Sequence, residues 1–132
     1  MAAEREETVR RAFEAFAARD LPALSELVTP DVELRPLVSV WQRNYRGLEG
    51  LEEWFGEVSK TWAEFEFHAD EVRELDADRM LIKAHWRGCA VAGGSEVGGP
   101  SAAVVTFRDD KVVIADFYLS EEAALAAAGS GG

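Results

Sequence analysis

Lys111–Leu119, KVVIADFYL, is the stretch whose reading decides the fold. Its nine residues are rich in Val, Ile, Phe and Tyr, hold neither Gly nor Pro, and read as a β-strand. RDDK before it supplies a tight turn, in which Asp tolerates unusual backbone angles. After it, Ser120 is placed to cap a helix whose first turn carries Glu121 and Glu122 at its positive end. That helix, EEAALAAA, is expected to stop at Gly129. Strict alternation puts Val113, Ala115, Phe117 and Leu119 on one face, and Val112, Ile114, Asp116 and Tyr118 on the other. Both faces are largely apolar, so both need cover, and function turns on what covers each.

Working outward, SAAVVTF reads as the strand before RDD, and GGSEVGGP as a flexible break before that. FEFHADEVREL and MLIKAHWRGCAVA form two further strands joined by the turn DAD. The first part of the chain is helical. Residues 4–19 place Val9, Ala12, Phe13 and Phe16 on one stripe, and Asp20 caps a short second helix with Pro22 in its first turn. VELRPL is a strand with Val32 and Leu34 facing one way and Glu33 and Arg35 the other; Pro36 confines it to an edge or ends it. A third helix carries Leu51, Trp54, Phe55, Val58 and Trp62 on its apolar face. Helices first and a meander of long strands after them predict one α+β domain, residues 1–129, with three N-terminal helices on a strongly curved, mostly antiparallel sheet. Residues 130–132 read as a Gly/Ser tail.

Composition narrows the function classes. At 132 residues, 48% hydrophobic and 30% charged, the chain can bury a core. A net charge of −11 leaves no basic stripe for nucleic acid or an anionic membrane. No apolar run approaches the roughly 20 residues of a membrane span. MAAEREETVRR is charged rather than leader-like, and Cys89 is the sole cysteine, so a cytoplasmic location is expected. Metal-ligand spacing, a phosphate-binding Gly-rich loop and GxSxG are absent, so neither metal nor organic cofactor is expected; His68 and His85 read as structural or surface groups.

FEAFAARDLPALSELVTPDVEL, YRGLEGLEEWF and VVTFRDDKVVIADFYLSEEAALAAAG, in this order and spacing, resemble the SnoaL-like branch of the nuclear transport factor 2-like fold across nearly the whole chain. Asp110 departs from the Gly usual in that turn. The resemblance implies a cone-shaped domain enclosing a cavity, commonly dimeric, in a group that includes polyketide cyclases, ketosteroid isomerases and limonene epoxide hydrolases. It does not carry over their catalytic residues. The acid of the last strand falls at Phe117, the Arg-x-Asp pair of the hydrolases at Ala84 and Trp86, the isomerase Tyr at Ala12, and its Asp base near Leu34 or Arg35. Asp116 is one residue from the acid position, and one residue in a strand is the opposite face.

The ligand-binding residues expected from this register are Leu34, Trp54, Trp62, Trp86 and Phe117, joined by Trp41, Arg43 and Tyr45 from the segment between Val38 and Gly50. That segment either folds over a cavity mouth, with Gln42 and Asn44 as further polar groups, or is a solvated connection. Two functions stay open at this point. One is a cofactor-free enzyme acting on a cyclic or polyketide-like hydrophobic molecule; the other is a non-catalytic binder or scaffold lacking the family acids. On the outer face, Lys83, His85 and Arg87 alternate along one strand and Ile114, Asp116 and Tyr118 along another, which leads to the expectation of a homodimer through that face.

Overall fold

The computed structural model describes residues 2–35, 45–91, 93, 95–118 and 120–131. Helix α1 (Ala2–Ala17) carries the predicted stripe, with Val9 and Phe16 buried. Arg19, in the left-handed region at φ 57°, turns the chain out of it. Asp20 then caps α2 (Leu21–Leu27), accepting from the Ala23 N–H at 3.1 Å. Strand β1 (Val28–Arg35) follows, then β2 (Tyr45–Arg46) and α3 (Gly47–Thr61). The long strands are β3 (Trp62–Glu74), β4 (Arg79–Ala90), β5 (Glu96–Arg108) and β6 (Lys111–Tyr118), and α4 (Glu121–Gly131) closes the described chain.

The strands form one curved, unclosed sheet in the order β2-β1-β6-β5-β4-β3. All neighbours are antiparallel except β1 and β6, which run parallel, a pairing made possible by the long connection of β2, α3 and three long strands between them. Helices α1, α2 and α3 cover its inner face, as the sequence pattern requires. Arg5 pins the start of α1 to two turns at once, donating to the Ala77 carbonyl at 2.5 Å and the Asp109 carbonyl at 3.0 Å. The DAD turn is held by the Asp76 carboxylate, which accepts from the N–H groups of Asp78 and Arg79. In the RDD turn the left-handed residue is Asp109, at φ 59°; Asp110 therefore needs no glycine's freedom. No helix among the described residues is long and apolar enough to cross a membrane.

Several local expectations are corrected. Val112 does not share a face with Ile114 and Asp116. The pairing with β5 shifts between Thr106 and Phe107, and this bulge turns Val112 inward to join Ala115 in the core. Residues 96–100 of the expected flexible break are strand, paired with 85–89; Gly98 permits it, since a Cβ there would lie 2.3 Å from the Trp86 carbonyl oxygen. Trp62 opens β3 instead of ending the third helix, its N–H closing α3 on the Val58 carbonyl. Helix α4 is capped by Ser120 as expected but continues past Gly129 to Gly131.

Candidate functional site

The inner face of the sheet and the helices above it enclose a cavity of about 60 Å³. Among the described residues fourteen side chains line it, and none of them is ionisable. Val9, Ala12, Phe13 and Phe16 come from α1, because their spacing of three and four puts them on its inner stripe. Leu51 and Trp54 come from α3; Leu34, Phe67, Ala115 and Phe117 rise from β1, β3 and β6. Parallel pairing places Leu34 beside Ala115, so the two strands present the same face. Five aromatic rings dominate the wall. Phe16 stacks on Trp54 at 4.6 Å between centroids, Phe67 stacks on Phe117 at 5.3 Å, and Phe117 meets Trp54 at 6.0 Å.

Of the expected ligand-binding residues, Leu34, Trp54 and Phe117 are brought together around this cavity. Tyr45 is buried in the same core, its ring 6.3 Å from that of Trp54. Trp62 and Trp86 form a neighbouring cluster with Phe65 outside the cavity lining, at 5.9 Å from each other. Gly88 makes that cluster possible: a Cβ there would lie 2.8 Å from the Trp62 ring. Trp41 and Arg43, with Gln42 and Asn44, lie outside the described residues. Residues 36–44 contain no Asp, Glu or His, so that segment has no carboxylate or imidazole to contribute.

The residues that sequence reasoning missed are Phe13, Phe16 and Phe67. In sequence they are part of a helix stripe and of a strand, and only the curvature of the sheet brings Phe67 under α1. Phe13 and Phe67, both half-buried and 6.0 Å apart, also border an outer groove that holds Arg10, Glu14 and His68. These two rings are therefore the partition between the apolar interior and solvent.

Asp116, Arg35 and Glu33 stand on the other face of the sheet. Asp116 points away from the cavity, 3.5 Å from Arg35, which also donates to Glu33 at 3.1 Å. Burial holds the Asp116 carboxyl above its ordinary range, against the opposing pull of Arg35. Burial likewise raises the Tyr118 phenol. Lys83, His85 and Arg87 do form one outward row, but its partners lie on adjacent strands of the same chain. His85 Nδ1 sits 2.8 Å from Asp70, and Arg87 pairs with Glu66 and Glu96. The apolar part of this face is covered by α4: Ala124 is buried against Leu81, Ala102 and Val104. Among the described residues no group of three His, Cys, Asp or Glu side chains is placed to hold a metal ion.

Similarity to known proteins agrees with this architecture. No curated protein matches the chain. Among solved structures, an NTF2-like protein of unknown function from Burkholderia pseudomallei superposes with a TM-score of 0.79 at 22% identity, covering 93% of this chain and 95% of its own. TerC, co-crystallised with polyporic acid, gives 0.80 at 18% identity, with 91% and 94% covered. A candidate SnoaL-like polyketide cyclase from Jannaschia gives 0.73 at 18% identity, with 89% and 85% covered. At these identities the likeness is one of fold. The family model for the SnoaL-like domain matches residues 9–115, which include the second half of α1, the described cavity-lining residues other than Phe117, and most of the sheet. With more than half of its length matched, the chain belongs to the SnoaL-like domain family.

Proposed function

We propose that this protein takes a small, cyclic, uncharged hydrophobic molecule into the aromatic cavity, and that the cavity binds without acid–base chemistry of its own. One observation carries the reading: where relatives would place an acid, a base or a tyrosine, this cavity has Phe117, Leu34 and Ala12. Proton abstraction needs a base within hydrogen-bond reach of its substrate, and no lining residue can serve. A dry wall of five rings instead offers contact area and stacking, the means by which apolar pockets hold flat molecules.

The resting cavity is smaller than the roughly 150 Å³ that accommodates benzene in an apolar core. Entry of a five- or six-membered ring therefore requires side chains to move. Phe13 and Phe67, half-buried at the boundary, are placed to do so.

The test is a titration with benzene and toluene, read by tryptophan fluorescence and by methyl chemical shifts of Val9 and Leu51. Saturable binding is expected in the parent and should disappear in Ala115→Leu, which fills the cavity. No saturation in the parent, or equal binding in the filled variant, would refute the proposal. The competing reading is a cofactor-free cyclase or isomerase, which the family match and the cyclase-like neighbour favour. It predicts turnover abolished by Asp116→Asn, the nearest acid in sequence to the family position.

A further inference from the structure

We infer that Trp54 determines which hydrophobic molecule the cavity accepts: its indole N–H donates to the single acceptor oxygen of a neutral, otherwise hydrocarbon ligand, such as a cyclic ketone. The inference rests on the cavity being the binding site, as proposed above, and goes beyond it in ligand class.

Trp54 is only 4% exposed, and its Nε1 is buried with no hydrogen-bond acceptor. An indole N–H is a donor only, so nothing but an acceptor can satisfy it. Native cores rarely leave such a group unpaired, and each case calls for a cause. Here the surroundings provide none. The ring is stacked on Phe16 and tilted against Phe117, both cavity-lining, and the other described lining side chains are aliphatic or aromatic hydrocarbon. A water would be poorly held, since a buried water needs two to four polar partners and the described lining side chains carry no polar group besides this indole. A molecule with one acceptor and an apolar body matches both the donor and the wall.

Charge narrows the class further. A cation would meet the positive end of the N–H dipole and find no carboxylate in the lining; an anion would be stripped of water for one hydrogen bond. A neutral carbonyl or ether avoids both costs. A hydrocarbon of the same shape fits the wall but leaves the donor unpaired, so the site should discriminate by hydrogen bonding rather than by shape.

The experiment compares cyclopentanone with methylenecyclopentane, in which an exocyclic CH₂ replaces the oxygen at nearly the same shape. Calorimetric or NMR titrations are run on the parent and on Trp54→Phe, which removes the N–H and keeps a ring. Cyclopentanone affinity should fall roughly three- to tenfold in the variant, the range for one neutral hydrogen bond, while methylenecyclopentane affinity stays as in the parent. Equal changes for both probes would overturn the inference and leave the cavity proposal standing. Failure of both probes to bind the parent would overturn the two together. A readout on the parent alone covers a variant that does not fold. The Trp54 indole ¹H–¹⁵N resonance should move downfield, and the carbonyl stretch to lower frequency, with the ketone; the hydrocarbon should produce no downfield shift. An unmoved indole proton in the ketone complex, or tetramethylammonium binding more tightly than the ketone, would also overturn the inference.

Discussion

Phe117→Asp returns a carboxylate to the position where relatives carry theirs, and its cost is calculable from the cavity wall. Phe117 makes two ring contacts, with Phe67 at 5.3 Å and Trp54 at 6.0 Å. At about 0.5–1.5 kcal/mol each, their loss costs about 2 kcal/mol at any pH. Burying an unpaired polar group adds about 1–3 kcal/mol. The sign of the pH dependence follows from desolvation. No cation lines the cavity among the described residues, so burial raises the folded pKa of the introduced carboxyl above its unfolded value. The folded state then holds the proton through a window in which the unfolded state has released it. Destabilisation is therefore smallest below the unfolded pKa, grows as pH rises towards the folded one, and is constant above it. Urea melts of parent and variant at pH 5 and pH 8 should show a loss of about 4 kcal/mol at pH 8 and a smaller loss at pH 5. A variant as stable as the parent at both values would refute the inward orientation of Phe117. A loss independent of pH would show that the introduced carboxylate reaches water.

Other outcomes follow from specific contacts. Arg108 donates to Asp31 at 2.6 and 3.2 Å and holds its carboxyl down to about 2, so in Arg108→Gln the Asp31 carboxyl should titrate back in the ordinary carboxylate range by NMR. The stability that Asp31 contributes is present above its unfolded pKa and lost as pH falls towards 2, so Asp31→Asn should differ from the parent at pH 6 and converge with it near pH 2. Asp116 has the opposite sign: with its folded pKa raised by burial, its contribution is full below the unfolded pKa and lost as pH rises. Asp116→Asn should therefore gain stability relative to the parent as pH rises above the ordinary carboxylate range, in denaturant melts. Phe67→Ala should open the partition to the outer groove and speed probe exchange in NMR lineshapes; unchanged exchange would place the entrance elsewhere.

What could be read from the sequence was set by periodicity and caps. The α1 stripe, the Asp20 and Ser120 caps and the inward facing of Ala115 and Phe117 are local consequences of residue order. What could not be read depends on how strands meet. The bulge that turns Val112 inward exists only as a mismatch between β5 and β6. Alternation along one strand carries no sign of it. Trp62 fits the helix stripe by spacing, yet the chain has already entered β3, where the bare backbone of Gly88 receives the indole. The partners within the chain of His85 and Arg87, namely Asp70, Glu66 and Glu96, could not be read either, because they are distant in sequence or scattered among other acids. Likewise, Phe67 becomes part of the cavity only through the curvature that carries β3 beneath α1.

The central claim is a dry, aromatic, ligand-accepting cavity without a catalytic acid or base, and a crystal structure under xenon pressure tests it most directly. Apolar cavities that stay dry take up xenon, whereas wet polar ones hold ordered water. The account predicts xenon enclosed by Phe13, Phe16, Trp54, Phe67 and Phe117, with no ordered water among them in the unpressurised crystal. Ordered water filling that space, with a carboxylate turned inward to bind it, would contradict the account.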